Sequence, residues 1–193
     1  IVFNGNGYAE EWLEEAVNVR KLPNLVSTVD ALPEYTRPEF VAMFEKFKVY
    51  TATEINSRTE ILLENYSKVI NIEALTMLDM AKKLIIPACI EYNKTVCDAA
   101  ASKIAIGLDA NVEKSIASKI SSLNEGIYNA VKVLDEKVIT AQGQEEGLKM
   151  ARFYRNEVFA QMQTLRALVD EMEMCISSDI WPLPSYSKLL FSV

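Results

Sequence analysis

Three long stretches of the sequence carry apolar residues at alternating spacings of three and four. This spacing places side chains on one face of an α-helix, so each stretch predicts an amphipathic helix whose apolar face must be covered. The stretches are residues 53–106, 112–142 and 150–178. The repeating positions are Leu63, Tyr66, Ile70, Ala74, Met77, Ala81, Leu84 and Ala88 in the first, Val112, Ile116, Ile120, Leu123, Ile127, Ala130, Leu134 and Val138 in the second, and Met150, Tyr154, Val158, Met162, Leu165, Val169, Met172 and Ile176 in the third.

The connections between these stretches are short, which predicts that neighbouring helices run antiparallel. Thr51 or Thr53 is the predicted N-cap of the first helix, and Gly107 its predicted end. Pro87 lacks a backbone N–H, so it predicts a kink or a restart. A straight first helix would be roughly 80 Å long, whereas a compact domain of this size has a radius of gyration of roughly 16 Å. We therefore predict an all-α fold, an elongated antiparallel bundle of three long helices.

Short helices are predicted before the bundle, over residues 8–21, 27–32 and 36–48. Thr36 and Glu39 form a candidate capping box for the last of these. The end of the chain contains two prolines, which predict a non-helical tail before a final turn capped by Ser185. We predict one structural domain made of an N-terminal segment (1–50), the long-helix bundle (51–178) and a C-terminal docking tail (179–193).

Composition excludes several classes of function. The sequence contains no histidine, so its own residues cannot form a Ser-His-Asp or Cys-His nucleophile pair or a His-ligated metal site. Its net charge of −7 and the lack of a Lys/Arg cluster argue against binding to nucleic acid. No run of eighteen apolar residues occurs, so we predict no membrane span. The chain opens at Ile1 without a start methionine, and we expect it to be a piece of something longer.

The cysteines Cys89, Cys97 and Cys175 are odd in number and show no CxxC spacing. We therefore expect reduced thiols in a cytosolic protein, each of them a buried structural residue. The methionines are expected to fill the core rather than to line a binding groove.

Two motifs suggest chemistry but have simpler explanations. Gly5 and Gly7 lie between an apolar run and a helix, as in a dinucleotide-binding loop, but Glu10 takes the third glycine position, so a tight turn is favoured. Charged residues line the first long helix, where carboxylates could form a di-metal site, but such sites normally use Glu-x-x-His motifs. A solvated face with pairs such as Glu54–Arg58 and Glu64–Lys68 is favoured. The residues of this face are Glu54, Arg58, Glu60, Glu64, Glu73 and Asp79.

Segments at the two ends of the chain are more specific than its periodic middle. The first is Phe3-Asn4-Gly5-Asn6-Gly7-Tyr8-Ala9-Glu10-Glu11-Trp12, continued by Glu15-Ala16, Leu22-Pro23-Asn24 and Thr28-x-Asp30-Ala31-Leu32. The last is Asp179-x-Trp181-Pro182-Leu183-Pro184-x-Tyr186-x-x-Leu189-Leu190-Phe191. Between them lie Arg58-x-Glu60-Ile61-x-Leu63-Glu64-x-Tyr66-x-Lys68-x-Ile70-x-Ile72-Glu73 and Ile85-Ile86-Pro87-Ala88 with Tyr92. Over essentially the whole chain, these motifs resemble the C-terminal region of type III glutamine synthetases.

The resemblance implies an enzyme that joins glutamate and ammonia using ATP and magnesium or manganese, in a family of large ring-shaped oligomers. Family enzymes hold these ligands in a β-grasp and catalytic region, which the resemblance places upstream of Ile1. None of those motifs occurs here, so we expect no catalytic, cofactor-binding or metal-binding residue in this chain. The implied partners are its own upstream catalytic domain and neighbouring subunits, in a cytoplasmic homo-oligomer.

The leading hypothesis is therefore a non-catalytic, structural role in the assembly of a glutamine synthetase. One alternative is a free-standing helical interaction or scaffold protein whose apolar faces bind a foreign amphipathic helix. Another is a small helical enzyme or ligand-binding bundle with its site among the carboxylates. The reading frame upstream of Ile1 distinguishes the first two, and metal titration by calorimetry tests the third.

Overall fold

The structure, a computed structural model, describes residues 3–191, and every regular element within that range is helical. The α-helices are α1 (Glu10–Glu14), α2 (Thr28–Ala31), α3 (Pro38–Lys46), α4 (Ala52–Met80), α5 (Ile86–Ala105), α6 (Asn111–Gln142), α7 (Leu148–Phe153), α8 (Ala160–Glu173) and α9 (Tyr186–Leu190). The segments Glu15–Val19, Ala81–Ile85 and Tyr154–Phe159 are π-helical, and Leu32–Thr36 is a 3₁₀ helix. The predicted all-α fold class with long helices is confirmed.

The chain divides into two compact units, Ile1–Leu63 and Glu64–Val193. The division predicted from the sequence, at residues 50 and 178 within one domain, stays a prediction.

The first unit consists mainly of short helices and buries few side chains. Ser27 caps α2, because its Oγ accepts a hydrogen bond of 3.3 Å from the backbone N–H of Asp30. The α-helix ends before Pro33, and the 3₁₀ helix Leu32–Thr36 continues from it with Pro33 in its first turn, where a missing N–H is tolerated. The buried apolar residues of this unit are Ala16, Val29, Leu32, Ile55 and Leu63.

The predicted capping box of Thr36 and Glu39 is wrong. The Thr36 hydroxyl donates a hydrogen bond of 2.9 Å to the carbonyl of Pro33, so it is already used within the 3₁₀ helix. Helix α3 begins at Pro38 after Arg37, which has an extended backbone and supplies no side-chain cap. The Glu39 carboxylate instead pairs with the Arg37 guanidinium at 2.5 Å.

Helix α4 begins with a capping box that involves Thr51. The Thr51 backbone N–H and hydroxyl each donate to one carboxylate oxygen of Glu54 at 2.8 Å, and the Glu54 N–H donates back to Thr51 Oγ1 at 3.3 Å. These bonds, the backbone one first, lower the pKa of Glu54. The predicted Glu54–Arg58 pair does not close to a salt bridge, because the carboxylate is held at the helix N-terminus, but the Arg58 charge also helps to lower the pKa of Glu54. The predicted Glu64–Lys68 pair does form, at 2.5 Å.

The second unit has a continuous apolar core. Helix α6 packs against α5 on one side and α8 on another. Its fully covered side chains include Ile120, Ile127 and Leu134. Polar pairs also join α6 to its neighbours: Lys82–Asp135 at 2.7 Å, Asn93–Ser121 at 2.9 Å, Lys103–Glu113, Lys137–Glu157 at 2.8 Å and Lys119–Glu171 at 3.1 Å.

Pro87 does not interrupt the helical path. The backbone stays helical from Met80 through the π segment Ala81–Ile85 into α5, where Pro87 lies in the first turn. A π turn closes i→i+5 bonds and holds more residues than an α turn, so later positions rotate around the axis relative to the predicted spacing. Leu84, predicted to face the core, is therefore 44% exposed, whereas Ile85 is 5% exposed.

Helix α5 ends at Ala105, and Gly107, two residues further on, stops the helical path as predicted. Gly107 has a φ of +82°, a left-handed conformation that glycine adopts without steric cost. The N–H of Leu108 donates to the carbonyl of Lys103 at 2.9 Å, so this carbonyl in the last turn of the helix has a hydrogen-bond partner.

The C-terminal tail packs back onto the second unit over part of its length. Helix α8 ends at Glu173, before the predicted end at residue 178. Trp181 is 7% exposed and lies in the core, so the tail packs onto the unit at that residue. The N–H of Leu189 donates to the Ser185 carbonyl at 3.0 Å at the start of α9. The apolar side chains of α9, such as Leu190, are largely exposed, and docking of this part of the tail stays a prediction.

Candidate functional site

The charged residues predicted along the first long helix are all exposed. They are Glu54, Arg58, Glu60, Glu64, Glu73 and Asp79. In the described part of the chain, no three Asp, Glu or Cys side chains come close enough together to hold a metal ion. These residues therefore do not fit the magnesium or manganese ion that the resemblance implies. We derive no catalytic step from them, and the absence of site residues stays a prediction.

The segment around Gly5 forms a tight turn. The N–H of Tyr8 donates to Asn6 Oδ1 at 3.0 Å. A Cβ at Gly5 would lie 2.7 Å from the ring of Phe3, which explains the glycine by local packing. Helix α1, which follows, is five residues long and begins with Glu10, whose charge repels phosphate. These contacts favour the turn over a dinucleotide loop.

The cysteines differ in environment and are free thiols. Cys89 is fully covered by the core, and this burial raises its pKa to about 11. Cys175 is half-buried and Cys97 is exposed. The prediction of a buried structural residue is wrong for Cys97, because its position on α5 faces away from the core.

An exposed apolar cluster lies where α5 turns into α6. We call residues 104–116 the hairpin tip. Its exposed fractions are 50% for Ile104, 74% for Ile106, 57% for Leu108, 67% for Val112 and 37% for Ile116. The turn and the helix ends beside it thus expose five large apolar side chains. The predicted burial of Val112 and Ile116 is wrong.

The tip is uncovered because α8 stops short of it. The ion pair nearest the tip between α6 and α8 is Lys119–Glu171, and α8 ends at Glu173. Beyond that level, α5 and α6 pair with each other, as the Lys103–Glu113 ion pair shows. Two helices alone leave much of each apolar face in water.

Each of the two units also has a concave surface. In the first unit, an apolar pocket of about 330 Å³ is lined by Tyr35, Phe44, Tyr50, Ile55, Arg58 and Leu62, among others. In the second unit, a groove of about 730 Å³ is lined by α4, α8 and the tail, and includes Met77, Met80, Met162 and Leu183. Three methionines thus line this groove. Met162 is also part of the buried core and Met77 packs against it, as predicted for core filler.

Comparison with known proteins assigns the chain to a family. A family model described as glutamine synthetase C-terminal domain matches residues 1–103, which is more than half of the chain. The chain belongs to the glutamine synthetase C-terminal domain family. The resemblance stated from the end motifs is therefore confirmed.

Relatives of this glutamine synthetase domain are similar along its whole length. A glutamine synthetase from Butyrivibrio fibrisolvens is 36% identical over 196 residues, covering 100% of this chain and 28% of the relative. A type-3 glutamine synthetase from Dictyostelium discoideum is 30% identical and covers 99% of this chain and 27% of the relative. A glutamine synthetase from Bacteroides fragilis (strain YCH46) is 30% identical with 100% and 27% coverage. The chain spans little more than a quarter of the length of these relatives.

Sequence reasoning missed several residues of these surfaces. Ile104, Ile106 and Leu108 were not singled out, although three apolar residues around Gly107 are unusual for a turn, which is normally polar. Tyr35 and Tyr50 gave no periodic signal because they lie outside the long helices. Of the described residues in this glutamine synthetase domain, none belongs to a helix long and apolar enough to cross a membrane.

Proposed function

We propose that this domain is part of a type III glutamine synthetase, which ligates ammonia to glutamate using ATP and magnesium or manganese. The identity to a relative named type-3 glutamine synthetase supports this proposal. In this proposal ATP, metal and glutamate bind elsewhere in the enzyme, and this domain is non-catalytic. The lack of a cluster of three Asp, Glu or Cys side chains among the described residues is in keeping with it. The proposal places the enzyme in the cytoplasm, in keeping with three unpaired thiols.

The proposal includes an antiparallel bundle of the three long helical stretches. The order of the polar pairs supports it. Positions 82, 93 and 103 pair with 135, 121 and 113, so residue numbers rise along the π segment and α5 as they fall along α6. Positions 119 and 137 of α6 pair with 171 and 157, again in opposite order. Short connections between consecutive helices agree with this arrangement.

The role of the domain is structural, and the hairpin tip is the observation that carries this conclusion. Its five exposed apolar residues remain in water unless another protein surface covers them. The surfaces that cover it belong to the enzyme's own catalytic domain and to neighbouring subunits of a homo-oligomer. The relatives are more than three times longer than this chain, which leaves ample protein to provide those surfaces.

The test introduces charge into the tip of the intact enzyme. Ile106→Glu combined with Leu108→Glu should reduce the oligomer size measured by light scattering, because a buried unpaired carboxylate is costly. Turnover, measured as glutamate- and ammonia-dependent phosphate release from ATP, should fall with it. The helical circular dichroism of the 193-residue chain should stay unchanged, since both positions are exposed in it.

The matched control is Ile139→Glu, at a 66% exposed position of α6 outside the tip. This variant should keep the wild-type oligomer. The assembly role is contradicted if the tip variant keeps its oligomer size and turnover. The non-catalytic role is contradicted if the 193-residue chain alone releases phosphate in the same assay.

A further inference from the structure

We propose that the apolar pocket of the first unit binds a small organic carboxylate with an aromatic or branched aliphatic body. Its volume of about 330 Å³ lies at the lower end of the range of roughly 300–1,000 Å³ for small-molecule sites. Such sites combine an apolar lining with a few polar groups that orient the ligand. The pocket has both features, and no step of the proposed function uses it.

The lining provides the contacts that an apolar body requires. The rings of Phe44 and Tyr50 lie 5.9 Å apart at an interplanar angle of 56°, so they form a tilted aromatic wall. Ile55 is 3% exposed and closes the inner side of the pocket. Tyr35 and Leu62 also line the pocket and remain about half exposed, so the interior stays open to a ligand.

Arg58 provides the charge that selects a carboxylate. Its guanidinium lies over the ring of Tyr50, 4.7 Å from the centroid, and this contact holds the cation at the wall of the pocket. The nearby Glu54 carboxylate is held by the N–H and hydroxyl of Thr51. The charge of Arg58 acts on Glu54, whose pKa it helps to lower, but within residues 3–191 no hydrogen bond or ion pair occupies the Arg58 N–H groups. Its N–H groups are thus available for a bidentate carboxylate.

Other arginines of this acidic chain have different surroundings. Arg37 pairs with Glu34 at 2.7 Å, and Arg166 lies 3.5 Å from Asp170. Arg155 lies 5.2 Å from the ring centroid of Phe159 and resembles Arg58 in this contact, but it does not line the pocket. An anion is therefore attracted to the apolar pocket by Arg58, against the net charge of −7.

The experiment compares phenylacetate with its neutral isostere phenylacetamide by calorimetric titration of the purified protein. The acid should bind saturably and about tenfold more tightly than the amide, since a charge-assisted bidentate bond favours the acid. Arg58→Gln should lower the affinity for the acid to that for the amide and leave the amide unchanged. Leu62→Trp, which fills the pocket from an exposed position, should weaken both ligands.

Arg155→Gln is the matched control, since it removes the same charge from another aromatic contact, and it should bind both ligands as the wild type does. Circular dichroism of each variant checks that it is folded. Equal affinity for acid and amide in the wild type overturns the proposal, as does absence of saturable binding. An unchanged acid preference in Arg58→Gln, or an equal loss in Arg155→Gln, overturns it too. Binding that survives Leu62→Trp unchanged places the ligand elsewhere and also overturns it.

Discussion

The two ends of the apolar stripe on α6 have opposite environments. From Ile120 to Val138 the stripe is covered by α5 and by the helical stretch that ends with α8 at Glu173. Its large side chains there are almost fully buried, except for the half-buried Leu123. At Val112 and Ile116 the same spacing continues into water. The sequence pattern is the same in both regions, and what differs is the presence of a third helix.

This difference shows that helical periodicity identifies the face that needs covering, and not the protein that covers it. In the body of α6, the cover comes from the same chain and stabilises the fold. At the hairpin tip, the chain provides no cover. The proposed function places the contact with other protein at this exposed continuation of the core stripe.

The largest expected effect that sharpens this comparison comes from truncating one isoleucine in each region. Ile127 is 0% exposed, so Ile127→Ala should lower the free energy of unfolding by about 2–5 kcal/mol. Ile116 is 37% exposed in the tip, and Ile116→Ala should lower the free energy of unfolding by less than about 1 kcal/mol. Urea unfolding of the 193-residue chain measures both. Similar costs at the two positions would show that the tip is covered within this chain.

A smaller effect concerns the ion pair that holds the tip together. The hydrogen bond from Lys103 lowers the pKa of Glu113 below its ordinary value of 4.5. A lowered folded-state pKa means that the charged form stabilises the fold above pH 4.5, and that this contribution is lost as the pH falls through the folded-state value. Glu113→Gln should therefore be less stable than the wild type at pH 7, by much less than Ile127→Ala, and the difference should vanish in acid.

The control for this pH dependence is Glu125→Gln, at an exposed position of the same helix. Within residues 3–191, Glu125 takes part in none of the ion pairs. This variant should show no such pH-dependent difference. The role of the carboxylate charge would be contradicted if the difference in unfolding free energy between Glu113→Gln and the wild type stayed constant from pH 7 into acid.

Much of the fold could be predicted from the sequence, because burial repeats with the period of the helix. The third stripe is buried or half-buried at all its predicted positions, from Met150 to Ile176. The interchange of Leu84 and Ile85 could not be predicted, since the spacing contains no signal for the π turn before Pro87. The sequence motif also could not predict which threonine forms a capping box at the start of a helix. Thr36 and Thr51 both begin capping-box motifs, but only Thr51 is free of a competing turn.

The surfaces of the candidate site were less predictable than the helices. Ile106 and Leu108 follow no helical period, and their exposure depends on where α8 ends. The prediction for Arg58 was an ion pair with Glu54, which the Thr51 cap replaces. The family, in contrast, was evident from the motifs at the chain ends, because those segments are specific in residue type as well as in spacing.

Thiol labelling of the assembled enzyme tests the central claim most directly, which is that other protein covers the hairpin tip. Leu108→Cys and Ile139→Cys each place a thiol at an exposed position of this chain, in a Cys97→Ser background. In the assembled enzyme, the thiol at position 108 should react with maleimide at least about tenfold more slowly than the thiol at position 139, because burial blocks access. Equal labelling rates at the two positions would contradict the account.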